Sequence, residues 1–195
     1  DFRQHPVATF FFFFFKEHNR DNVKVFGYGN IESPDETTKR IKNNFDVWRN
    51  VWSTGKDDVA EIIRNDGIDI LVDLAGHSMN NRLDVMGEKP APVQATYLGY
   101  PDTTGLDTID YRITDWFADP EGAEAFHTEK LLRLDGCFLG WAGTGKPAYP
   151  RTPARHNGFI TFGSFNNLYK INDFLVEAWA KILNKVDNSI LALKF

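Results

Sequence analysis

Cysteine and long apolar runs are nearly absent from this sequence. Its 195 residues include one cysteine, Cys137, which excludes an internal disulfide and a multi-cysteine metal site. Such cysteine usage is typical of a reducing compartment, so we expect a cytoplasmic protein. No apolar run reaches the roughly 20 residues that a membrane-spanning helix needs, and no basic-then-apolar signal peptide opens the chain.

The sequence also has no excess of positively charged residues. The 22 lysines and arginines against 27 aspartates and glutamates give a net charge of −5. Extensive electrostatic binding to a nucleic-acid phosphate backbone is therefore not expected, and we predict neither a nucleic-acid nor a membrane partner. No histidine and carboxylate cluster has the spacing of metal ligands, and no nucleophile elbow occurs. We expect no metal and no cofactor.

Strand-like and helix-like segments alternate along the first part of the chain. The pattern predicts a helix over the apolar block 5–18 and a helix that Ser33 caps, with Pro34 at its first position. It predicts a further helix that begins near Thr54 or Gly55 and ends at Asp66 and Gly67. The predicted strands are 23–28, 47–51, 93–98 and 111–114, together with a buried strand at 68–74. Alternation with short connections indicates a parallel sheet with crossover helices.

Glycine and proline cluster between residues 140 and 158, and a new strand–loop–helix–strand pattern follows at 159–162, 173–185 and 190–193. We predict an α/β protein with one Rossmann-like domain over 1–145, a linker over 146–157 and the start of a second Rossmann-like domain over 158–195. The terminal strand over 190–193 is expected to pair with a segment that this sequence does not contain, so we expect a piece of a longer protein.

Six consecutive phenylalanines, Phe10 to Phe15, occupy the first predicted helix. Six bulky rings are hard to bury on one helix face. We therefore predict a helix that packs on the sheet with several rings partly exposed, where a further part of the protein would cover them.

Three loops follow strands, where α/β proteins bind their ligands. They contain Gly76-His77-Ser78, the stretch from Leu98 to Pro101, and the stretch from Gly163 to Lys170. Asn172 can cap the helix after the third loop, and Lys170 adds a positive charge there, which points to a phosphate or diphosphate. The spacing is not that of a Walker loop. By residue type alone, His5 and His77 are more often structural than catalytic.

Six blocks of sequence carry a resemblance to a known family. They are 1–6 (DFRQHP), 66–77 (DGIDILVDLAGH), 89–101 (KPAPVQATYLGYP), 110–115 (DYRITD), 118–120 (ADP) and 161–170 (TFGSFNNLYK). In these blocks the chain resembles the catalytic region of the protein O-GlcNAc transferase and SPINDLY family, in its bacterial form. Because the blocks span nearly the whole chain in order, the match is a specific one.

The resemblance implies a GT-B glycosyltransferase, in which two Rossmann-like domains face each other and tetratricopeptide repeats precede them. The family transfers a sugar from a nucleotide donor, usually UDP-GlcNAc, to serine or threonine hydroxyls of proteins, with inversion and without a metal. By the same resemblance His5 is a base or an acceptor-positioning residue, and Lys170 neutralises the donor diphosphate. The remaining implied donor-site residues are Leu98, Gly99, Pro101, Asn167, Tyr169 and, more weakly, His77.

Two alternatives stay open at this point. One is a SPINDLY-like O-fucosyltransferase that uses GDP-fucose, because the base- and ribose-binding residues of the family lie outside this sequence. The other is a noncatalytic scaffold of the same fold. We expect the 195 residues alone to be inactive.

Overall fold

The structure is a computed structural model that describes residues 2–12, 14–141 and 152–194. The chain divides into two compact units, Asp1–Ala142 and Gly143–Phe195. Within the described residues, no helix is long and apolar enough to cross a membrane.

Helices and strands alternate through the first unit. In chain order they are α1 (Pro6–Phe11), α2 (Phe14–Glu17), β1 (Phe26–Gly29), α3 (Glu36–Lys42), β2 (Val47–Asn50), α4 (Lys56–Asn65), β3 (Ile70–Asp73), α5 (Leu83–Gly87), β4 (Val93–Tyr97), β5 (Tyr111–Asp115) and β6 (Lys130–Leu134). The predicted strands all occur, whereas α5 and β6 were not predicted. All strand pairs are parallel, which confirms the predicted α/β fold class.

The strands of this unit form two groups. β1 pairs with β2, with Phe26 opposite Val47. The other four strands form a sheet of order β3-β4-β5-β6, in which Ile70 lies opposite Val93. Because these strands are parallel, the loops that follow β3 and β4 leave the sheet at the same edge.

Helix α4 shows how the sequence builds the core. Val59, Ala60 and Ile63 lie on one face of the helix and pack against Val51 and Val85. Acidic residues in its first turn and an arginine in its last turn complement the helix dipole. Full burial of each aliphatic side chain contributes roughly 1.5–3 kcal/mol, so this face holds the helix on the sheet.

Helix α3 begins two residues later than predicted. Its cap is Asp35, not Ser33. The carboxylate of Asp35 accepts a hydrogen bond from Thr38 N at 2.8 Å, and the Thr38 hydroxyl accepts one from Asp35 N at 3.1 Å. This reciprocal pair satisfies two backbone donors and fixes the start of the helix.

The prediction of a buried strand at 68–74 was wrong in part. Ile70 is 61% exposed and Val72 38% exposed. β3 pairs with β4 on one side only, and its other edge faces an open cleft. An interior strand of a parallel sheet is normally covered on both faces and both edges, so β3 has the sequence of an interior strand in an edge position.

The structure has two helices, α1 and the short α2, where the sequence predicted one over 5–18; the phenylalanine run contributes Phe10 and Phe11 to α1 and Phe14 and Phe15 to α2. Among the five described rings, Phe15 is buried and Phe14 is 49% exposed, with the other three between these extremes. The rings pack on one another: Phe15 meets Phe45 edge-on with 4.8 Å between the centroids. The predicted partial exposure is confirmed for the described rings.

The second unit contains α6 (Pro153–Asn157), β7 (Ile160–Ser164), α7 (Asp173–Lys185) and β8 (Ser189–Leu193). β7 and β8 are parallel, with Thr161 opposite Ile190. The prediction that the terminal strand pairs with a segment outside this sequence was wrong, because β7 is its partner. The bounds of α7 and its cap, Asn172, are those predicted. Of the predicted linker, residues 146–151 lie outside the described residues and residues 153–157 form α6; the domain boundaries stay a prediction.

Candidate active site

Two loops at the carboxyl ends of β3 and β4 pack closely on each other. A Cβ added to Gly76 would overlap the side chain of Tyr100, and one added to Gly99 would overlap the backbone carbonyl of Leu74. Gly76 also has a positive φ of 53°, a conformation that L side chains rarely adopt. Both glycines are therefore required for the contact between the loops.

His77 joins the two loops. Its Nε2 lies 2.8 Å from the carbonyl oxygen of Thr104, and its ring meets that of Tyr100 edge-on at 5.3 Å. Because a carbonyl oxygen only accepts, Nε2 carries the proton. His77 thus holds the loop over residues 98–105, hereafter the 98–105 loop. Leu98 and Gly99 in this loop are half-buried, and Pro101 is exposed.

A buried arginine supports the 98–105 loop from below. Arg112 is 1% exposed, and its Nη1 donates to the carbonyl oxygens of Tyr100 and Asp102 at 3.0 and 3.3 Å. Its Nε donates to the carboxylate of Asp119 at 3.0 Å. The charge of Arg112 is therefore balanced by Asp119 while its remaining donors fix the path of the loop.

Glu129 fixes the end of the same loop. Its carboxylate accepts hydrogen bonds from Thr104 N at 2.7 Å and from the hydroxyl groups of Thr103 and Thr104. Burial opposes ionisation of Glu129, but these hydrogen bonds outweigh it and lower its pKa. The glutamate is thus held as a buried anion that anchors the loop.

Sequence reasoning did not find Arg112, Asp119 or Glu129. The available signal was an arginine in the middle of the short strand 111–114, between Tyr111 and Ile113. A charged side chain in a strand of a buried parallel sheet is stable only when an oppositely charged or hydrogen-bonding group lies beside it. That reasoning would have marked Arg112 as a structural residue beneath a loop.

His5 caps helix α1. Its Nδ1 accepts a hydrogen bond from Val7 N at 3.2 Å. Burial and the nearby positive charge of Arg3 lower the pKa of His5, so the ring is neutral at pH 7. With Nδ1 acting as an acceptor, the neutral ring carries its proton on Nε2. Accepting a proton would require Nδ1 to release its hydrogen bond from Val7 N.

The remaining predicted residues lie in the second unit, in the turn between β7 and α7. Asn167 accepts a hydrogen bond from Tyr169 N at 3.1 Å and begins a short 3₁₀ turn over Leu168–Lys170. Tyr169 is 97% exposed, and Lys170 is exposed as well. The turn presents both side chains to solvent.

Helix α7 begins directly after this turn. Asn172 accepts a hydrogen bond from Leu175 N at 3.0 Å, which leaves the other amide groups of the first turn available. The 13-residue helix has the positive end of its dipole here. Lys170 stands three residues before the helix, so its ammonium group and the helix terminus are candidates for binding an anion, although the carboxylate of Asp173 in the first turn offsets part of their positive charge.

The structure therefore brings His77 together with the 98–105 loop, and Asn167 and Tyr169 together with Lys170. His5 lies at the amino end of α1. The described residues hold no group of three or more histidine, cysteine, aspartate or glutamate side chains that could bind a metal ion.

A parallel α/β sheet with ligand-suited loops at the carboxyl ends of its strands is the arrangement of nucleotide-binding α/β proteins. Comparison with known protein families shows to which family within this class the chain belongs. The model of glycosyl transferase family 41 matches residues 1–143. The chain belongs to this family.

Relatives match over nearly the whole chain. It is 45% identical over 183 residues to the protein of Eustoma exaltatum subsp. russellianum named "Probable UDP-N-acetylglucosamine--peptide N-acetylglucosaminyltransferase SPINDLY", covering 91% of this chain and 20% of that protein. The protein of the same name from Oryza sativa subsp. japonica is 44% identical over 200 residues, covering 100% and 22%. The protein named SEC from Arabidopsis thaliana is 34% identical over 205 residues, covering 99% and 21%.

A solved structure shows the same fold. The K341M mutant of the O-GlcNAc transferase of Thermobaculum terrenum matches with a TM-score of 0.89 and 37% identity, covering 99% of this chain and 36% of that one. The fold is thus the mixed α/β, GT-B type of the O-GlcNAc transferases. The chain spans about a fifth of the length of the curated relatives it matches.

Proposed function

We propose that this chain forms part of a protein O-glycosyltransferase that transfers GlcNAc from UDP-GlcNAc to serine or threonine hydroxyls, with inversion and without a metal. Family membership and the names of the relatives support sugar transfer to protein. The observation that carries the proposal is the exposed Lys170 directly before the capped amino end of α7, in the turn that follows β7.

In the proposed reaction the acceptor oxygen forms a bond to the anomeric carbon from the face opposite the leaving group. The bond between that carbon and the diphosphate oxygen breaks, and the diphosphate leaves with the electron pair. Negative charge grows on the leaving group, and Lys170 and the α7 terminus stabilise it in place of a metal ion. The proton of the hydroxyl passes to a solvent water as the new bond forms.

His5 serves the acceptor side in this proposal. The cap through Nδ1 fixes the orientation of the ring, which suits a residue that positions the acceptor. Direct proton transfer to His5 would require the ring to release Val7 N. The geometry of the cap therefore favours positioning over general base catalysis.

Donor binding is assigned to Leu98, Gly99 and Pro101 in the first unit and to Asn167, Tyr169 and Lys170 in the second, with His77 as a support of the 98–105 loop. Interlocking of the loops through Gly76 and Gly99 gives the 98–105 loop a fixed shape. Because the 98–105 loop already has a fixed conformation, less conformational entropy is lost when it binds a sugar.

Substitution of Lys170 tests the proposal in the protein with its native flanking sequence. Lys170→Ala should reduce transfer to a serine peptide by roughly 10–150-fold, the loss expected for a charge-assisted hydrogen bond. Lys170→Arg should restore little, because a planar guanidinium does not replace a compact ammonium. Lys181→Ala, on the exposed surface of α7, is the matched control. Wild-type transfer by Lys170→Ala would overturn the assignment.

The relatives at 42–45% identity carry the SPINDLY name, so GDP-fucose is the second donor to test. Parallel assays with UDP-GlcNAc and GDP-fucose distinguish the two transferases, and absence of transfer with either supports a noncatalytic scaffold. We further propose a cytoplasmic protein with tetratricopeptide repeats before this chain. The 195 residues alone should bind UDP only in the millimolar range, or about −4 kcal/mol.

A further inference from the structure

A buried histidine that the candidate site does not use lies beside the 98–105 loop. His127 follows a short 3₁₀ turn, Ala123–Phe126, and its side chain is only 5% exposed. Its Nδ1 lies 2.9 Å from the carbonyl oxygen of Ala123. Because a carbonyl oxygen only accepts, Nδ1 carries a proton, and this hydrogen bond fixes the orientation of the ring.

The other ring nitrogen, Nε2, is buried and faces two carboxylates. It lies 3.6 Å from Oδ1 of Asp119 and 4.0 Å from Oδ1 of Asp102. Among the residues that the structure describes, Nε2 has no hydrogen-bond partner, and a buried nitrogen in that state is costly. The protonation state of Nε2 therefore decides whether the contacts with the two carboxylates attract or repel.

Asp119 presents a negative charge to this nitrogen. Burial opposes ionisation of its carboxyl group, but hydrogen bonds from Thr114 and Arg112 outweigh burial and lower the pKa of Asp119. Both hydrogen bonds go to Oδ2, so Oδ1 is the oxygen that faces His127. Asp119 thus has one oxygen held by its own strand and the other turned toward Nε2.

The two forms of His127 differ in how they meet these oxygens. A neutral ring with its proton on Nδ1 directs the lone pair of Nε2 at carboxylate oxygens that carry lone pairs themselves. A proton on Nε2 turns the same contacts into an attraction between an imidazolium and two carboxylates. Burial disfavours a cation unless anions accompany it, and here two anions do.

Further charged groups adjoin His127 on the neighbouring elements. They are already engaged with one another: Arg112 on β5 with Asp119, Arg133 on β6 with Glu124, and Glu129 with the hydroxyl groups of Thr103 and Thr104. Together with Asp119 and Asp102, four carboxylates accompany two guanidinium groups. An imidazolium therefore reduces an excess of negative charge in this part of the first unit.

Asp102 connects His127 to the 98–105 loop. Its side chain belongs to that loop, and its carbonyl oxygen accepts a hydrogen bond from Nη1 of Arg112 at 3.3 Å. Asp119 in turn holds the guanidinium of Arg112. His127 thus contacts one residue of the loop directly and the support of the loop through Asp119.

We propose that His127, protonated on both ring nitrogens at neutral pH, is a positioning residue that joins Asp119 to Asp102 and so fixes the 98–105 loop. Loss of the Nε2 proton in base loosens the loop. The proposal rests on the proposed function only in taking this loop as part of the donor site.

Carbon NMR of the protein with its native flanking sequence, labelled at histidine Cε1, tests the protonation state. The resonance of His127 is identified by its absence from His127→Gln. At about pH 7.5 it should have the chemical shift of an imidazolium, whereas the histidines of the urea-unfolded protein should be mostly neutral, because an unperturbed histidine titrates near pH 6.5. A neutral His127 in the folded protein at this pH would overturn the proposal.

Hydrogen exchange measured by mass spectrometry tests the effect on the loop. His127→Asn keeps a donor for Ala123 O in place of Nδ1 but has no atom at the position of Nε2. At neutral pH, exchange of a peptide over 98–105 should be about tenfold faster in this variant than in the wild type, the loss expected for a charge-assisted hydrogen bond. The matched control is His156→Asn on α6, an exposed position, which should exchange as the wild type does.

The pH profile of the same exchange separates a charge effect from simple packing. After correction for the intrinsic effect of pH, protection of the loop in the wild type should fall between about pH 7 and pH 9, as an imidazolium loses its proton. In His127→Asn it should stay low and constant. A flat profile in the wild type would overturn the proposal, and this measurement needs no variant to fold.

Donor kinetics then distinguish this proposal from the proposed function. His127→Asn should raise the KM for the nucleotide sugar by about tenfold and leave kcat within about twofold, because the loop binds the donor and not the acceptor. A protein that transfers no sugar but shows the expected NMR and exchange results would count against the proposed function and support the role of His127. Normal exchange of the loop in His127→Asn would overturn that role, whatever the activity.

Discussion

Arg112 and Asp119 form a buried ion pair directly beneath the 98–105 loop. The Nε–Oδ2 distance is 3.0 Å, and both side chains are almost inaccessible to solvent. Thr114 also donates its hydroxyl to Asp119, so the carboxylate has several partners. The pair joins β5 to the turn that follows it and holds the guanidinium in place, while Nη1 of Arg112 binds the carbonyl oxygens of Tyr100 and Asp102 in the 98–105 loop. These bonds explain how a loop rich in glycine and threonine keeps one conformation.

Arg112→Met should destabilise the first unit by about 3–5 kcal/mol, because it leaves the carboxylate of Asp119 buried without the guanidinium that balances its charge. Urea unfolding followed by tryptophan fluorescence measures this change. The matched control is Lys39→Gln, which removes an exposed ion pair with Glu36 and should leave the unfolding midpoint unchanged. Equal midpoints for the two variants would mean that the buried pair does not hold the fold.

Gly99→Ala should also destabilise the protein, by about 1–3 kcal/mol, since the added Cβ overlaps the carbonyl of Leu74 and forces the two loops apart. Gly87, at the end of α5, is the control because a Cβ there meets no atom within 4 Å. Gly87→Ala should leave stability unchanged or raise it by up to about 1 kcal/mol. If both variants unfold at the same urea concentration, the loops do not depend on their close packing.

The fold was largely predictable because its strands and helices are short, regular and separated by turn residues. Helix α7 and its Asn172 cap follow from the sequence pattern. The cap of α3 could not be predicted in the same way, because Ser33 and Asp35 are both residue types that commonly cap helices. Only the reciprocal hydrogen bonds between Asp35 and Thr38 decide between them. The exposure of Ile70 depends on which strand lies beside β3, and that is a property of the whole sheet.

The site was predictable to the level of loops. Strand ends identified the loops with His77 and Leu98, which the structure brings together through Tyr100 and Thr104. The roles of Arg112 and Glu129 were not predicted, because charged residues are most often exposed and their burial follows from tertiary hydrogen bonds.

Acid should destabilise the first unit. Asp115 accepts hydrogen bonds from Ala118 N at 2.8 Å, Phe138 N at 2.9 Å and Phe117 N at 2.8 Å, and these lower its pKa below its usual value. A carboxyl group with a lowered pKa in the folded state stabilises the protein above its unfolded pKa of about 4. That contribution is lost as the pH falls further.

The urea midpoint should therefore fall as the pH is lowered below about 4. Asp115→Asn should reduce this dependence on pH, whereas Asp135→Asn, at an exposed position, should leave it unchanged. The buried carboxyl of Asp73 acts in the opposite direction, because burial raises its pKa. A midpoint that rises on acidification would mean that Asp73 outweighs the other carboxyl groups.

Substitutions of His5 can distinguish positioning from base catalysis in the protein with its native flanking sequence. His5→Asn keeps an oxygen acceptor for Val7 N and an N–H donor in place of Nε2, but it cannot accept a proton at neutral pH. If His5 positions the acceptor, His5→Asn should retain turnover within about tenfold of wild type, whereas a lost general base costs about 10²–10⁴-fold. His5→Ala should lower turnover and also lose up to about 1 kcal/mol of stability with the cap. Both variants should bind the nucleotide as wild type does in calorimetry, since His5 acts on the acceptor; an equal loss of nucleotide affinity would assign His5 to the donor site.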